Sequence, residues 1–93
     1  MDKKYAAQEA ITHSMMGSLG LKLIEEKEGF IRASMPVNDN TSQPFGVLCG
    51  GASLAFAEII AGYGSYLCCP EGFIPVGSSV SGNHVSSVRK APD

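Results

Sequence analysis

Between Asp39 and Glu71 the chain carries a single charged side chain, Glu58, and from Pro44 to Cys69 it is largely apolar. A helical run of that length can span a bilayer. Its composition argues for a different fate. The run is rich in Gly, Ala and Ser, it holds a carboxylate near its middle, and no basic cluster flanks it. A carboxylate at mid-span costs about 2.5–3.5 kcal/mol on insertion scales, and flanking Lys and Arg normally set orientation in a membrane. The run therefore predicts a long helix, about Leu48 to Leu67, enclosed on most sides by protein, and a membrane is not an expected partner. Cys68-Cys69-Pro70-Glu71-Gly72 terminates it.

The remaining segments can be read around that helix. Ala6, Ile11, Met15 and Leu19 recur at helical spacing, which predicts a first helix from Tyr5 to Ser18, with Gly17 and Gly20 as stop signals. Leu21 to Glu26 reads as a short strand and Lys27-Glu28-Gly29 as a hairpin turn. From Phe30 to Val37 the chain alternates, with Ile31, Ala33, Met35 and Val37 on one side and Arg32 and Ser34 on the other. Pro36 lacks an amide donor and should end the ladder. Asn38 to Gly46 has loop composition. Phe73 to Val88 predicts a long strand, and Val85 falls out of parity with Ile74, Val76 and Val80, which places a bulge near Gly82-Asn83. The order helix, hairpin, long helix, strand predicts one α+β domain. Three strands are too few to wrap so long a helix. More are expected, from sequence beyond Asp93 or from a partner chain.

Charge and cysteine content narrow the setting. Seven basic residues stand against nine acidic ones, a formal charge of -2, with no Lys/Arg run, so nucleic acid is not expected as a partner. No apolar stretch follows Met1 to Tyr5 in the manner of a signal peptide. Three cysteines, two of them adjacent, do not form a disulfide framework, which points to a reducing cytoplasm.

Two features carry the chemistry. A carboxylate inside an apolar helix is costly unless it is paired or functional, and Glu58 there could act as a general base or a nucleophile. It could also mark a helix face that simply reaches solvent. Cys49-Gly50-Gly51 opens the same helix, where first-turn amides lack intrahelical acceptors and the macrodipole is positive. A thioester carbonyl resting on the Gly50 amide would be polarised as in an oxyanion hole. On spacing alone, close helix–strand packing is the plainer reading of the glycines. Eight residues separate Gly50 from Glu58, a rise of about 12 Å at 1.5 Å per residue. If both act on one carbonyl, the site joins two subunits related by a two-fold axis. Gln43 and Phe45 sit just before the helix as candidate contacts for an acyl group, or as parts of an ordinary turn. His84 lies late in the last predicted strand, as a candidate substrate contact or a structural side chain. Cys49, at a helix N-terminus, is also a candidate nucleophile.

Gln43-Pro44-Phe45-Gly46-Val47-Leu48-Cys49-Gly50-Gly51-Ala52-Ser53, followed by Glu58 and then Asn83-His84, resembles the signature of the PaaI-like branch of hotdog-fold thioesterases. The nearest likeness is to the 1,4-dihydroxy-2-naphthoyl-CoA thioesterases of menaquinone biosynthesis. Leu19-Gly20-Leu21 and Ala33 to Val37 fit the same pattern, so the resemblance covers nearly the whole chain. It implies a hotdog fold, an antiparallel sheet wrapped around the long central helix. It implies acyl-CoA hydrolysis, with Glu58 attacking the thioester or activating water, Gly50 of the facing subunit polarising the carbonyl, and Gln43 orienting the acyl group. Phe45, Cys49, Gly51 and His84 would contact substrate. The implied assembly is a homodimer, often a dimer of dimers, with no metal or redox cofactor and with coenzyme A as part of the substrate.

Three departures from the family pattern stand out. Cys49 replaces a histidine, exchanging an imidazole donor for a weak thiol one. Gly62 stands where a Ser or Thr is common, one turn after the glutamate. The sequence stops at Asp93, before the strands that complete the sheet in the family, so residues 1–93 are expected to form a C-terminally truncated hotdog domain. Two other functions therefore stay open: a thioesterase for phenylacetyl-type or medium-chain acyl-CoA, and a non-catalytic fragment or acyl-CoA binder.

Overall fold

A computed structural model describes residues 9–90. Residues 9–12 are helical, and a second short helix, α1 (Met15–Ser18), follows. The single helix expected up to Ser18 is therefore interrupted, and its predicted start at Tyr5 lies outside the described residues. Ser14 is the cause of the interruption. Its backbone is extended (φ −137°, ψ −177°) and its hydroxyl donates to the Ile11 carbonyl at 3.0 Å, an alternative to continuing the helical ladder. Gly20, at φ 72°, ends α1 with the Leu21 amide bonded back to the Met16 carbonyl, the closure a glycine in the left-handed region permits.

The hairpin forms where alternation placed it. Strand β1 (Lys22–Lys27) pairs antiparallel with β2 (Phe30–Ser34) across a two-residue turn in which Gly29 has φ 73°. Ile31 and Ala33 are half-buried while Arg32 and Ser34 are exposed. A bulge between Leu23 and Glu25 shifts the register, leaving Ile24 59% exposed. The ladder stops at Ser34, two residues short of Pro36.

The run whose single charge is Glu58 forms α2 (Gly50–Cys68), within two residues of its expected bounds at each end. Phe56, Ile59, Ile60, Tyr63 and Leu67 repeat on one face and pack with Met16, Leu21, Leu23 and Ile31, so the hairpin and α1 close over one side of α2. The Tyr63 hydroxyl donates to Glu26 of β1 at 3.4 Å. The expected enclosure on most sides is not what the fold provides. Within α2 only Ala52 and Tyr63 are buried, because a two-stranded sheet is too narrow to wrap a nineteen-residue helix. No helix among the described residues is long and apolar enough to cross a membrane.

The largest correction concerns residues 73–88. They run extended but join no ladder, since no neighbouring strand among the described residues offers the amides and carbonyls that strand pairing requires. Phe73, Ile74, Val76 and Val85 are correspondingly exposed. The far end of the segment is tied down. Leu48 donates to the Val88 carbonyl at 2.7 Å, Lys90 donates to the Gly46 carbonyl at 2.9 Å, and Val47 bridges Arg89 antiparallel.

A salt bridge of 2.6 Å between Lys90 and Asp39 reinforces that end. The hydrogen bond from Lys90, and then its charge, hold the Asp39 carboxyl below the usual carboxylate range. A lowered folded-state value means that this contact contributes fully above the unfolded carboxylate range and is lost as pH falls through the lowered value. Lys90 side-chain NMR shifts should follow that acid titration in the wild type and stay flat in Asp39→Asn; identical profiles would remove the pair as a tether.

Candidate active site

The loop before α2 is organised by a residue that sequence reading passed over. Thr41 is 2% exposed. Its hydroxyl donates to the Pro36 carbonyl at 2.7 Å and accepts from the Asn38 amide at 3.0 Å, while its own carbonyl accepts from the Cys49 amide at 2.8 Å. One residue thus links the end of the hairpin, through its hydroxyl, to the start of α2, through its carbonyl. A valine there would leave two groups unpaired, each costing about 1–3 kcal/mol when buried. Thr41→Val should therefore lose about 2 kcal/mol in denaturant unfolding, and an unchanged midpoint would show that the loop does not depend on the hydroxyl.

Beyond Thr41, Gln43 to Val47 makes a tight turn with Pro44 and Phe45 at its tip. Gln43 accepts from Gly46 at 3.1 Å and donates its amide to Val47 at 2.9 Å, and Ser42 bridges Leu48 antiparallel. Proline at the second turn position and the positive φ of Gly46 fit this geometry. The Gln43 side-chain oxygen accepts from the Phe45 amide at 2.6 Å, which leaves the side-chain NH2 as its remaining donor. Phe45 is 87% exposed and touches no core residue.

Cys49 is the N-cap of α2 and supplies no side-chain cap, so the first-turn amides at Gly50 and Gly51 keep their donor capacity. His84, from the extended segment, lies directly against Gly50. A β-carbon built on Gly50 would fall 2.5 Å from the His84 Nε2 and 2.7 Å from its Cδ2. The structure thus brings together two candidates that stand 34 positions apart in sequence, through the absence of a side chain at position 50.

Of the two readings open for Glu58, the solvent-facing one holds: it is exposed, because its face of α2 is turned away from the hairpin. It is nonetheless covered locally by residues 75–77, and it lies on the wall shared by two open cavities of about 370 and 400 Å3. One is lined by Met16, Ile59, Tyr63 and Tyr66; the other by Ala57, Ala61, Ser65 and Ser79. A larger cavity, of about 780 Å3, lies between the hairpin tip and the last turns of α2 and touches none of the candidate residues. Gly50 and Glu58 sit on the same helix, about 12 Å apart along its axis and roughly 80° around it. One chain does not converge them on a single atom. Gly77, which abuts the Glu58 carboxylate, went unnoticed in the sequence, although a glycine inside a strand-like run is a known sign of close approach.

Comparison with known proteins locates this arrangement. No family model matches the sequence. The 1,4-dihydroxy-2-naphthoyl-CoA hydrolase of Escherichia coli is 39% identical over 77 residues, 83% of this chain and 57% of that protein. The proofreading thioesterase EntH of Cronobacter turicensis is 34% identical over 92 residues, 95% of this chain and 67% of its own length. Among solved structures, a thioesterase from Haemophilus influenzae superposes with a TM-score of 0.83 at 39% identity, covering 91% of this chain and 59% of its own. A mutant thioesterase from Pseudomonas aeruginosa gives the same TM-score at 33% identity, with 92% and 63% covered. The chain spans little more than half the length of the first relatives it matches. Long central helix, antiparallel hairpin and these matches agree: the chain belongs to the hotdog-fold thioesterase family.

Proposed function

We propose that this protein hydrolyses an aromatic acyl-CoA, of the 1,4-dihydroxy-2-naphthoyl type, to the free acid and coenzyme A. The observation that carries the proposal is Glu58, the one carboxylate of α2, set on the wall of two cavities on a helix whose first turn offers free amides. Glu58 either activates water or attacks the thioester carbon itself. In both cases negative charge develops on the carbonyl oxygen, and the Gly50 amide is the donor suited to receive it. Because Gly50 and Glu58 diverge within one chain, the Gly50 of a facing subunit completes the site, which makes the working unit a homodimer or a dimer of dimers. The free NH2 of Gln43 orients the acyl group, and Phe45, Cys49, Gly51 and His84 border it. The chemistry needs no metal or redox cofactor, and a cytoplasmic location suits a coenzyme A substrate. Residues 1–93 act as one hotdog domain in this reading.

Tyr63 and Tyr66 beside Glu58 favour an aromatic acyl group, since aromatic rings gain from stacking beyond the area they bury. Hydrolysis of benzoyl-, phenylacetyl- and octanoyl-CoA, followed with a thiol-detecting dye, should give the highest kcat/KM for the aromatic esters. A clear preference for octanoyl-CoA would shift the proposal to an aliphatic thioesterase. Binding of acyl-CoA without release would shift it to a binding protein.

A further inference from the structure

Gly77 lies hard against the Glu58 side chain, and Pro75 and Val76 border the cavities beside it. A β-carbon built on Gly77 would fall 3.1 Å from the Glu58 carboxyl carbon and 3.6 Å from its Cγ, and would overlap Oε1. All three of the nearest atoms belong to Glu58. Gly77 is not among the glycines with positive φ, so its backbone does not itself require glycine. The reason for a glycine at this position is space, and the carboxylate fills that space. Glu58, Gly62, Pro75 and Gly77 line both cavities, so the carboxylate rests at the partition between them.

We propose that Gly77 is a positioning residue for Glu58, its missing side chain leaving the slot that holds the carboxylate at the boundary of the two cavities. The inference rests on the reading of Glu58 as the catalytic carboxylate. A glutamate on an exposed helix face has several open rotamers, and catalysis needs one of them. The Gly77 backbone closes one side of that choice. A methyl group at position 77 would displace the carboxylate toward solvent while leaving the rest of α2 untouched.

The test is a cycle of Gly77→Ala, Glu58→Ala and the double variant, read by kcat and KM on benzoyl-CoA and by thermal melting. Displacement of a reacting group by about 1 Å can cost on the order of 100-fold in rate. Gly77→Ala should accordingly lose kcat on that order while KM holds, and its melting loss should vanish once Glu58 is alanine. Wild-type kcat in Gly77→Ala, with Glu58→Ala inactive, would overturn the positioning role alone. An equal melting loss in both backgrounds would overturn it too. Wild-type turnover in Glu58→Ala would overturn the underlying reading and the positioning role with it. If Gly77→Ala fails to melt cooperatively, the double variant decides: recovery there supports the contact, and failure there overturns it.

Discussion

Glu58→Ala is expected to lower thioester turnover by about 10²–10⁴-fold, the range lost with a general base, while the protein melts and assembles as the wild type does. The two halves of that expectation have separate physical causes. Glu58 makes no salt bridge among the described residues and sits on the face of α2 opposite the core, so an alanine there opens no void in the core. Alanine is also the best helix former, so α2 loses nothing in propensity. No other carboxylate among the described residues borders the two cavities, so none can take over the role of Glu58. Glu58→Gln separates charge from shape: a base or nucleophile role requires it to be nearly as inactive as alanine. Turnover near the wild-type level in either variant would remove Glu58 from the mechanism.

Gly50→Val is the second large effect. The valine β-carbon alone would fall 2.5 Å from the His84 imidazole, a separation that real contacts do not show. The His84 imidazole must turn away from Gly50, and the valine side chain then occupies the approach to the Gly50 amide. Loss of one oxyanion donor costs about 10²–10³-fold in kcat, and Gly50→Val should fall in that range. The variant also tests subunit sharing. If Gly50 of one subunit serves Glu58 of another, mixing Gly50→Val with Glu58→Ala assembles sites with both groups intact, and activity returns. Two inactive proteins that stay inactive on mixing, once subunit exchange is verified, would place both groups at the same site within one chain.

How far the sequence reached depends on what each element needs. The hairpin was legible because strand alternation and a Glu28-Gly29 turn are local signals, and the pairing partner lies only two residues away. Helix α2 was legible because a long run from Asp39 to Glu71 with Glu58 as its single charge leaves few alternatives. Residues 73–88 carry strand alternation broken at Val85 but join no sheet, since a strand is defined by its neighbour and alternation does not supply one. The break at Ser14 turns on a local choice between hydroxyl and backbone acceptors, which periodicity does not record. Within the candidate site, the residue types at Gln43, Gly50 and Glu58 were conspicuous from spacing. Their surroundings were not, because the exposure of Glu58, the slot at Gly77 and the seat of His84 on Gly50 arise from a loop laid across the helix. Thr41 was hidden for a related reason: its neighbours Pro36, Asn38 and Cys49 converge only once the loop has folded.

Release of coenzyme A from benzoyl-CoA by the purified chain, followed with a thiol-detecting dye, tests the proposed thioesterase activity most directly. Release that saturates with substrate and disappears in Glu58→Ala is expected. A well-folded, cooperatively melting protein that releases no thiol from aromatic or aliphatic acyl-CoA would contradict it.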